Sequence, residues 1–429
     1  MPQRLKVIVG AYACNPTMGT ELGVGWGWVE AISSYHDLWV LTGAHNRDDI
    51  EAELRRRPGL AAHLNFEYID RKRNLRLEKL GKPFYLYTYK HQWLHDAFTR
   101  ARERHIEVRF DLAHQLTYIG FRFPGFLWKL GIPFVWGPIG GLEQTNWRLL
   151  PAMGLKGAAY YFARNLINDF DRRVRRGPRL AFRRASGGVI AATTGIQKEI
   201  QRFYNVSSTV IPEVGIPPIA AQQPTKRCEG TPLKLVWSGN HLPGKALPLL
   251  LKALSRVESS VEWRLTVLGS GPCTKEWRRL SEKLTLGSRV SWAGQLCRHE
   301  ALTVMQQAQV LVITSVYDLT STVLVEALAN GLPVICPDHC GFRDAIDESC
   351  GIKVPADTPP HLIDGLARAL IRLSDERTRY KLASACISRS EKFDWEKKAV
   401  AVDEIYQRVV SGNEREHSDR RVSQQSRSV

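Results

Sequence analysis

The residues best suited to chemistry lie between Thr314 and Ile335. An apolar run ends there at Ser315, a polar loop follows, and Ser321 or Thr322 carries a hydroxyl able to cap a helix start. Gly331 stops that helix and Pro333 prevents its continuation. The helix therefore opens at the C-terminal edge of a strand. Its free N–H groups and positive dipole end suit a diphosphate, which draws in Ser321, Thr322, Val323 and Leu324. Glu326 falls about one turn inside, where an acceptor-only carboxylate can take both hydroxyls of a ribose. Asp318 sits in the preceding loop, placed to meet sugar hydroxyls. Either acid alone is an ordinary surface charge; the strand–loop–helix context gives the pair a role.

That context repeats along the chain. Leu5–Gly10, Leu38–Thr42, Phe66–Ile69, Asp111–Leu116, Phe134–Trp136, Gly188–Ala192 and Thr209–Pro212 read as buried strands, short and bounded by turn residues. Helical spacing separates them, for example over Trp28–Ser34 and Trp93–Ile106. Such alternation predicts βα units on a parallel sheet. A proline-rich polar stretch follows, and the pattern restarts at Leu233 with strands at Arg264–Gly269, Arg289–Ala293, Val310–Ser315 and Pro333–Cys336. The expected organisation is a first domain over 1–212, a linker over 213–232 and a second domain over 233–394. A closing helix over 395–411 returns across both, and a polar tail without structure covers 412–429. Ligands of such sheets bind at the C-terminal strand edges, so a cleft between the domains is the expected site.

Composition limits the classes. At 429 residues, 44% hydrophobic and 24% charged, the chain is a folded two-domain protein rather than a disordered one. Its eight cysteines fall mostly in or beside apolar runs and read as reduced thiols of a cytosolic protein. The opening MPQRLKVIVGAY reads as a strand, not a signal peptide, and Gly125–Leu142 is a poor membrane span. The formal charge of +17 is partly clustered. Arg71, Lys72, Arg73, Arg76, Lys79 and Lys82 run into Phe84–Tyr89, and seven arginines lie between Arg172 and Arg184. Basic charge beside aromatics suits an anionic bilayer surface. A solvated basic face is the plain alternative, and no nucleic-acid motif accompanies the charge.

The segment from Asp318 to Glu326 resembles the acidic-x7-Glu region of retaining GT-B glycosyltransferases of family 4, the group 1 class, with seven residues between the acids. The resemblance implies an α/β GT-B fold, two Rossmann-like domains with parallel sheets facing across a cleft. It also implies retaining transfer of a sugar from a nucleoside-diphosphate donor to a hydroxyl acceptor, without a metal or other cofactor. Asp318-Leu319-Thr320 departs from the usual Glu-Gly-aromatic start. Gly239-Asn240-His241, continuing to Lys245, resembles the family's Gly-Arg-Leu-x3-Lys loop. The resemblance gives Lys245 a donor-phosphate role, whereas Asn240 replaces the usual arginine and His241 is the candidate substitute. Gly269-Ser270-Gly271-Pro272 resembles the turn near the nucleotide, and Phe393-Asp394-Trp395-Glu396 the C-terminal return. In the first domain, Gly19 within Asn15–Trp26 matches the glycine loop near donor phosphate and acceptor. His114, in Phe110–His114, resembles a strand-end histidine of the site, with a structural histidine as the alternative. Gly137–Gly141 lies beyond another strand and is a candidate lining of the acceptor side.

Other constellations compete. Cys336, His339, Cys340 and Cys350 contain a zinc-like spacing but no second C-x2-C pair. Asp169-Phe170-Asp171 mimics a metal-binding Asp-x-Asp, yet sits among arginines where helical charge pairing is the better reading. No phosphate loop or nucleophile elbow is present. The expected partners are a nucleotide-sugar donor, a glycan or lipid-linked acceptor and an anionic membrane face, with no nucleic acid. The expected location is cytoplasmic and peripheral to the membrane. The alternatives are an epimerase of the same fold and a non-catalytic basic binding module.

Overall fold

The computed structural model describes residues 3–70, 82–217 and 231–425. Strands β1 (Lys6–Gly10), β2 (Asp37–Gly43), β3 (Leu64–Ile69), β4 (Leu112–Gln115), β5 (Phe134–Ile139), β6 (Val189–Ala191) and β7 (Thr209–Val210) form one sheet. Its order is β3-β2-β1-β4-β5-β6-β7. A second sheet contains β8 (Leu233–Ser238), β9 (Trp263–Leu268), β10 (Val290–Gly294), β11 (Val310–Val312), β12 (Val334–Pro337) and β13 (Gly351–Val354), in the order β10-β9-β8-β11-β12-β13. Every pairing in both is parallel. Central strands such as β1, β4 and β12 are nearly or wholly buried, as sheets covered by crossover helices require. The order reverses beside β1 in one sheet and β8 in the other, and the loops after those strands open at such switch points.

The chain divides into two compact units. The first holds Met1–Leu142, Asp171–Glu213 and Trp395–Val429; the second holds Glu143–Phe170 and Val214–Asp394. The single boundary expected near residue 212 therefore does not describe 143–170. Leu149, Leu150 and Met153 explain why, since they are buried in one apolar cluster with Leu247, Leu251 and Leu366. The Asn146 side chain also donates to the Ala356 carbonyl at 2.8 Å.

The return helix expected over 395–411 runs from Trp395 to Gln425 and belongs to the first unit, not to both. Trp395 stacks edge-on against Trp28 at 5.4 Å, and buried Lys398 donates to the Pro212 carbonyl at 2.5 Å. Residues 412–425, part of the tail predicted to lack structure, instead continue this helix. This stretch contains no proline, its one glycine is the first residue, and Glu, Arg and Gln propagate a helix well once it is started. In the first unit a helix spans Thr20–Ser33, further than the Trp28–Ser34 pattern suggested. Its glycines disguise it. A Cβ on Gly25 would lie 1.7 Å from the Ala13 carbonyl oxygen, so the glycine lets the helix press onto the chain leaving β1.

Candidate active site

The loop after β8 and the loop after β11 meet in the second unit. The chain leaves β8 at Ser238, passes Gly239 and Asn240, and tightens into a 3-10 turn over Pro243–Lys245. Three bonds pin this turn to the β11 loop. Thr314 Oγ1 donates to the Lys245 carbonyl at 2.7 Å, Trp237 Nε1 donates to Thr314 Oγ1 at 2.9 Å, and the Val316 N–H donates to the Gly244 carbonyl at 2.9 Å. Lys245 and Asp318 are thereby brought together, and Nζ donates to Asp318 Oδ2. Both side chains keep about a quarter of their surface, 25% and 22%, so the pair is open to an incoming ligand. Asp318 Oδ1 accepts from the Leu319 N–H at 3.0 Å, which fixes the carboxylate.

The predicted helix follows at Thr322–Ala329 with Ser321 as its cap residue in extended conformation. The Ser321 side chain makes no capping bond. The Leu324 N–H turns back to the Ser321 carbonyl at 3.1 Å, so of the predicted anion donors it is already occupied. The N–H groups of Thr322 and Val323 have no intrahelical acceptor by position. Glu326 projects one turn on, and its Oε1 accepts from Arg298 Nε at 2.9 Å. Burial pushes the Glu326 carboxyl above its ordinary range, opposed by the Arg298 charge. The short helix Cys340–Ala345 backs the Asp318 loop: His339 Nε2 donates to the Ser315 carbonyl at 2.8 Å, and its Nδ1 meets Cys340 Sγ at 2.9 Å. That exchange, with Cys336 sealed in β12, gives the zinc-like spacing a packing role.

Two predicted site residues lie elsewhere. His241 was the candidate replacement for the missing arginine, yet its ring is 1% exposed. It packs among Trp237, Trp277 and Trp292 at 5.1–5.9 Å, with Nδ1 on Thr274 Oγ1 at 2.7 Å. Burial lowers its pKa, so the ring is neutral and offers no charge to a phosphate. The backbone beside it is tight: Gly269, at φ +102°, approaches so closely that a Cβ there would lie 2.1 Å from the Gly239 oxygen. His114, at the end of β4, is fully buried in the first unit. Its Nδ1 meets the Tyr406 hydroxyl at 2.6 Å and its Nε2 the Gly137 carbonyl at 2.8 Å. Burial lowers its pKa to about 4. Both nitrogens are committed to the fold, so the structural alternative replaces the catalytic expectation. Gly19 caps the Thr20–Ser33 helix, and a Cβ there would meet nothing within 4 Å. Asn240 is exposed at the rim of the Lys245 turn.

The sequence reading missed Arg164. It lies on the helix Gly154–Val174, within the part that belongs to the second unit. Its guanidinium carbon stands 3.9 Å from the centre of the Tyr317 ring, and Nη2 donates to the Tyr317 hydroxyl. Its Nη1 is buried with no hydrogen-bond partner among the described residues. Tyr161 of the same helix packs on Tyr317 at 5.8 Å and stands over Gly244, where a Cβ would come within 2.4 Å of its hydroxyl. A second cation thus stands on Tyr317, the neighbour of Asp318 in the chain, one helical turn from the Tyr161 that covers Gly244. No local motif announces it, because its partner is more than a hundred residues away in sequence.

The family model described as "Glycosyl transferases group 1" matches residues 220–393. A Campylobacter jejuni N-acetylgalactosamine-N,N'-diacetylbacillosaminyl-diphospho-undecaprenol 4-alpha-N-acetylgalactosaminyltransferase is 28% identical over 153 residues, 35% of this chain and 40% of that protein. A Mycobacterium leprae phosphatidyl-myo-inositol mannosyltransferase is 31% identical over 172 residues, 39% and 44% respectively. The matched stretch spans less than half the length of these curated relatives. Among solved structures, Anabaena Alr3699/HepE in complex with UDP and glucose superposes with a TM-score of 0.58 at 16% identity, covering 96% of this chain and 100% of that one. At that identity the likeness speaks for the fold, α/β and GT-B-like with two parallel sheets. Residues 220–393 thus carry a segment similar to the group 1 glycosyltransferases, on a GT-B-like fold.

Proposed function

We propose that the protein transfers a sugar, with retention of anomeric configuration, from a nucleoside-diphosphate sugar to a hydroxyl acceptor. The carrying observation is the Lys245–Asp318 pair, with the start of the Thr322–Ala329 helix following it and Glu326 one turn inside. The departing diphosphate gathers negative charge as the sugar bond breaks. Lys245, the N–H groups of Thr322 and Val323, and Arg164 stabilise that charge in place of a metal ion. Arg164 takes the part that the family's arginine plays where this chain has Asn240. Glu326 accepts from the two ribose hydroxyls, with Arg298 holding it in place. Asp318 exchanges Lys245 for sugar hydroxyls when the donor enters. The first unit, with open backbone at Gly19, is assigned to the acceptor.

A lipid-linked acceptor suits the chain best, as a growing glycan precursor on the cytoplasmic membrane face. The Campylobacter relative is named for a diphospho-undecaprenol substrate and the Mycobacterium relative for phosphatidyl-myo-inositol. No helix among the described residues is long and apolar enough to cross a membrane, so attachment is peripheral in this reading. Of the two basic clusters, the residues 71–79 lie outside the described residues, whereas Arg172–Arg184 are described, all but Arg175 on helices. The test is a panel of nucleoside-diphosphate sugars with lipid-linked and soluble acceptors, reading nucleoside diphosphate release with and without EDTA. Release that requires acceptor and survives EDTA is expected. Release abolished by EDTA would overturn the metal-free mechanism, and product inverted at the anomeric carbon would overturn retention.

A further inference from the structure

The helix Gly154–Val174 is inside out. At about 100° per residue, its largest apolar side chains fall on one arc about 160° wide. Phe162, Leu155, Leu166, Phe170, Ile167 and Tyr160 follow one another around it, and all are exposed, Leu155 by 89% and Phe170 by 63%. The polar residues face the protein instead. Asn165 and Asn168 are fully buried, and Asp171 and Arg172 are each only 5% exposed. These inward groups are bonded: Asn165 Nδ2 donates to the Thr145 carbonyl at 2.8 Å, Asp171 accepts from Arg122 and Arg175, and Arg172 pairs with Glu199. A water-facing helix has the opposite arrangement. Six large apolar side chains side by side on one helix also exceed the scattered exposure normal for a soluble surface.

We infer that this face is a membrane-docking surface that lies in the headgroup region of an anionic bilayer. Charge on the arc selects that occupant. Lys156 and Arg173 fall within it and no acid does; Asp169 and Asp171 fall just outside on either side, Asp171 paired with Arg122 and Arg175. Cations framing an apolar face suit anionic headgroups above and acyl chains below. A second copy of the chain, docked by a two-fold axis, would instead bring two like-charged sets together. The formal charge of +17 favours the same anionic partner. The inference deepens the lipid-linked acceptor reading and draws its biological purpose from it, whereas the docking itself can be measured without any transfer reaction.

The test uses the full chain and a triple variant carrying Leu166→Ser, Ile167→Ser and Phe170→Ser, all at exposed positions, with thermal unfolding as the folding control. Wild type is expected to co-sediment with vesicles of mixed phosphatidylcholine and phosphatidylglycerol, and less so as salt rises. The variant, equally stable, is expected to bind more than about tenfold less tightly. Wild-type binding by the variant would overturn the assignment. So would a wild-type dimer that the variant dissolves, which would make the face an interface between copies. A variant that still transfers sugar to a soluble acceptor separates docking from catalysis. Helix-dependent docking by a protein that transfers no sugar would sink the proposed function and leave this surface standing.

Discussion

Replacing Glu326 by Gln separates a donor contact from a structural one. In the proposed complex the carboxylate accepts from both ribose hydroxyls, a charge-assisted pair worth about 1.5–3 kcal/mol. A carboxamide keeps one acceptor oxygen and loses the charge, so most of that amount disappears. Nucleoside diphosphate binding should weaken about tenfold to a hundredfold, at about 1.4 kcal/mol for each factor of ten. Stability should move the other way. Burial raises the folded-state pKa of Glu326 above its unfolded value, so folding takes up a proton as the pH passes between the two. Stability from this group is therefore greatest at acid pH and falls as pH rises through that window; the ionised carboxylate is a cost at neutral pH. The partner Arg298 is 60% exposed and regains water when the charge is removed. The variant should thus be as stable as wild type, or slightly more, at pH 7. Titration calorimetry with UDP and GDP, beside thermal unfolding at pH 7, measures both quantities. Unchanged affinity for whichever nucleotide the wild type binds would refute the ribose contact. A drop of several degrees in melting temperature would show that Glu326 serves the fold.

Lys245→Ala should cut turnover by about a hundredfold or more, as loss of one preorganised leaving-group contact does, with little change in melting temperature; near-normal kcat would remove Lys245 from the mechanism. Arg164→Met should lower kcat/KM at least about tenfold, and Arg164→Lys should recover only part because the planar stack on Tyr317 is lost; equal rates for both variants and wild type would refute the replacement of the missing arginine. His114 predicts an acid sensitivity. Its folded pKa is lowered to about 4 from 6.5, so the unfolded chain binds the extra proton first and stability falls as pH drops through that interval, by about 3 kcal/mol in all. His114→Leu should be less stable than wild type at pH 7 yet show a shallower loss between pH 6.5 and 4 in urea titrations; parallel slopes would place the titrating group elsewhere.

The strands were legible because twelve of them are short apolar runs cut off by turn residues; Gly351–Val354 escaped because Lys353 breaks its apolar run and a glycine opens it. The Thr322–Ala329 helix was legible for the same kind of reason, since its cap and its stop are local. The place of His241, and the choice between the two readings of His114, could not be read from sequence because a motif position fixes where the backbone goes and not which way a ring turns. For His241, three tryptophans from separate segments decided the direction. The 143–170 segment was assigned to the wrong unit because the chain crosses to the second unit and back without any proline-rich linker. Its helix also went unread as a surface: periodicity reveals an apolar stripe, but which side of that stripe meets the protein depends on partners such as Thr145 and Arg122.

In the proposed mechanism the same crossing segment supplies the cation that replaces the motif arginine. A diphosphate leaving group carries its charge whatever the motif, so a site that drops one cation must supply another or lose turnover. On the Gly239–Lys245 loop itself, His241 is turned into the core and so supplies no such cation. The helix Gly154–Val174 meets that loop from outside the second sheet, with Tyr161 over Gly244 and Arg164 over Tyr317. One residue from an adjacent turn of the same helix, Ile167, belongs to its exposed apolar face. A bilayer that seated that face, as proposed, would act on the element that carries Arg164. If both proposals hold, docking and leaving-group stabilisation share one helix, and loss of the docking face should alter donor turnover as well as vesicle binding.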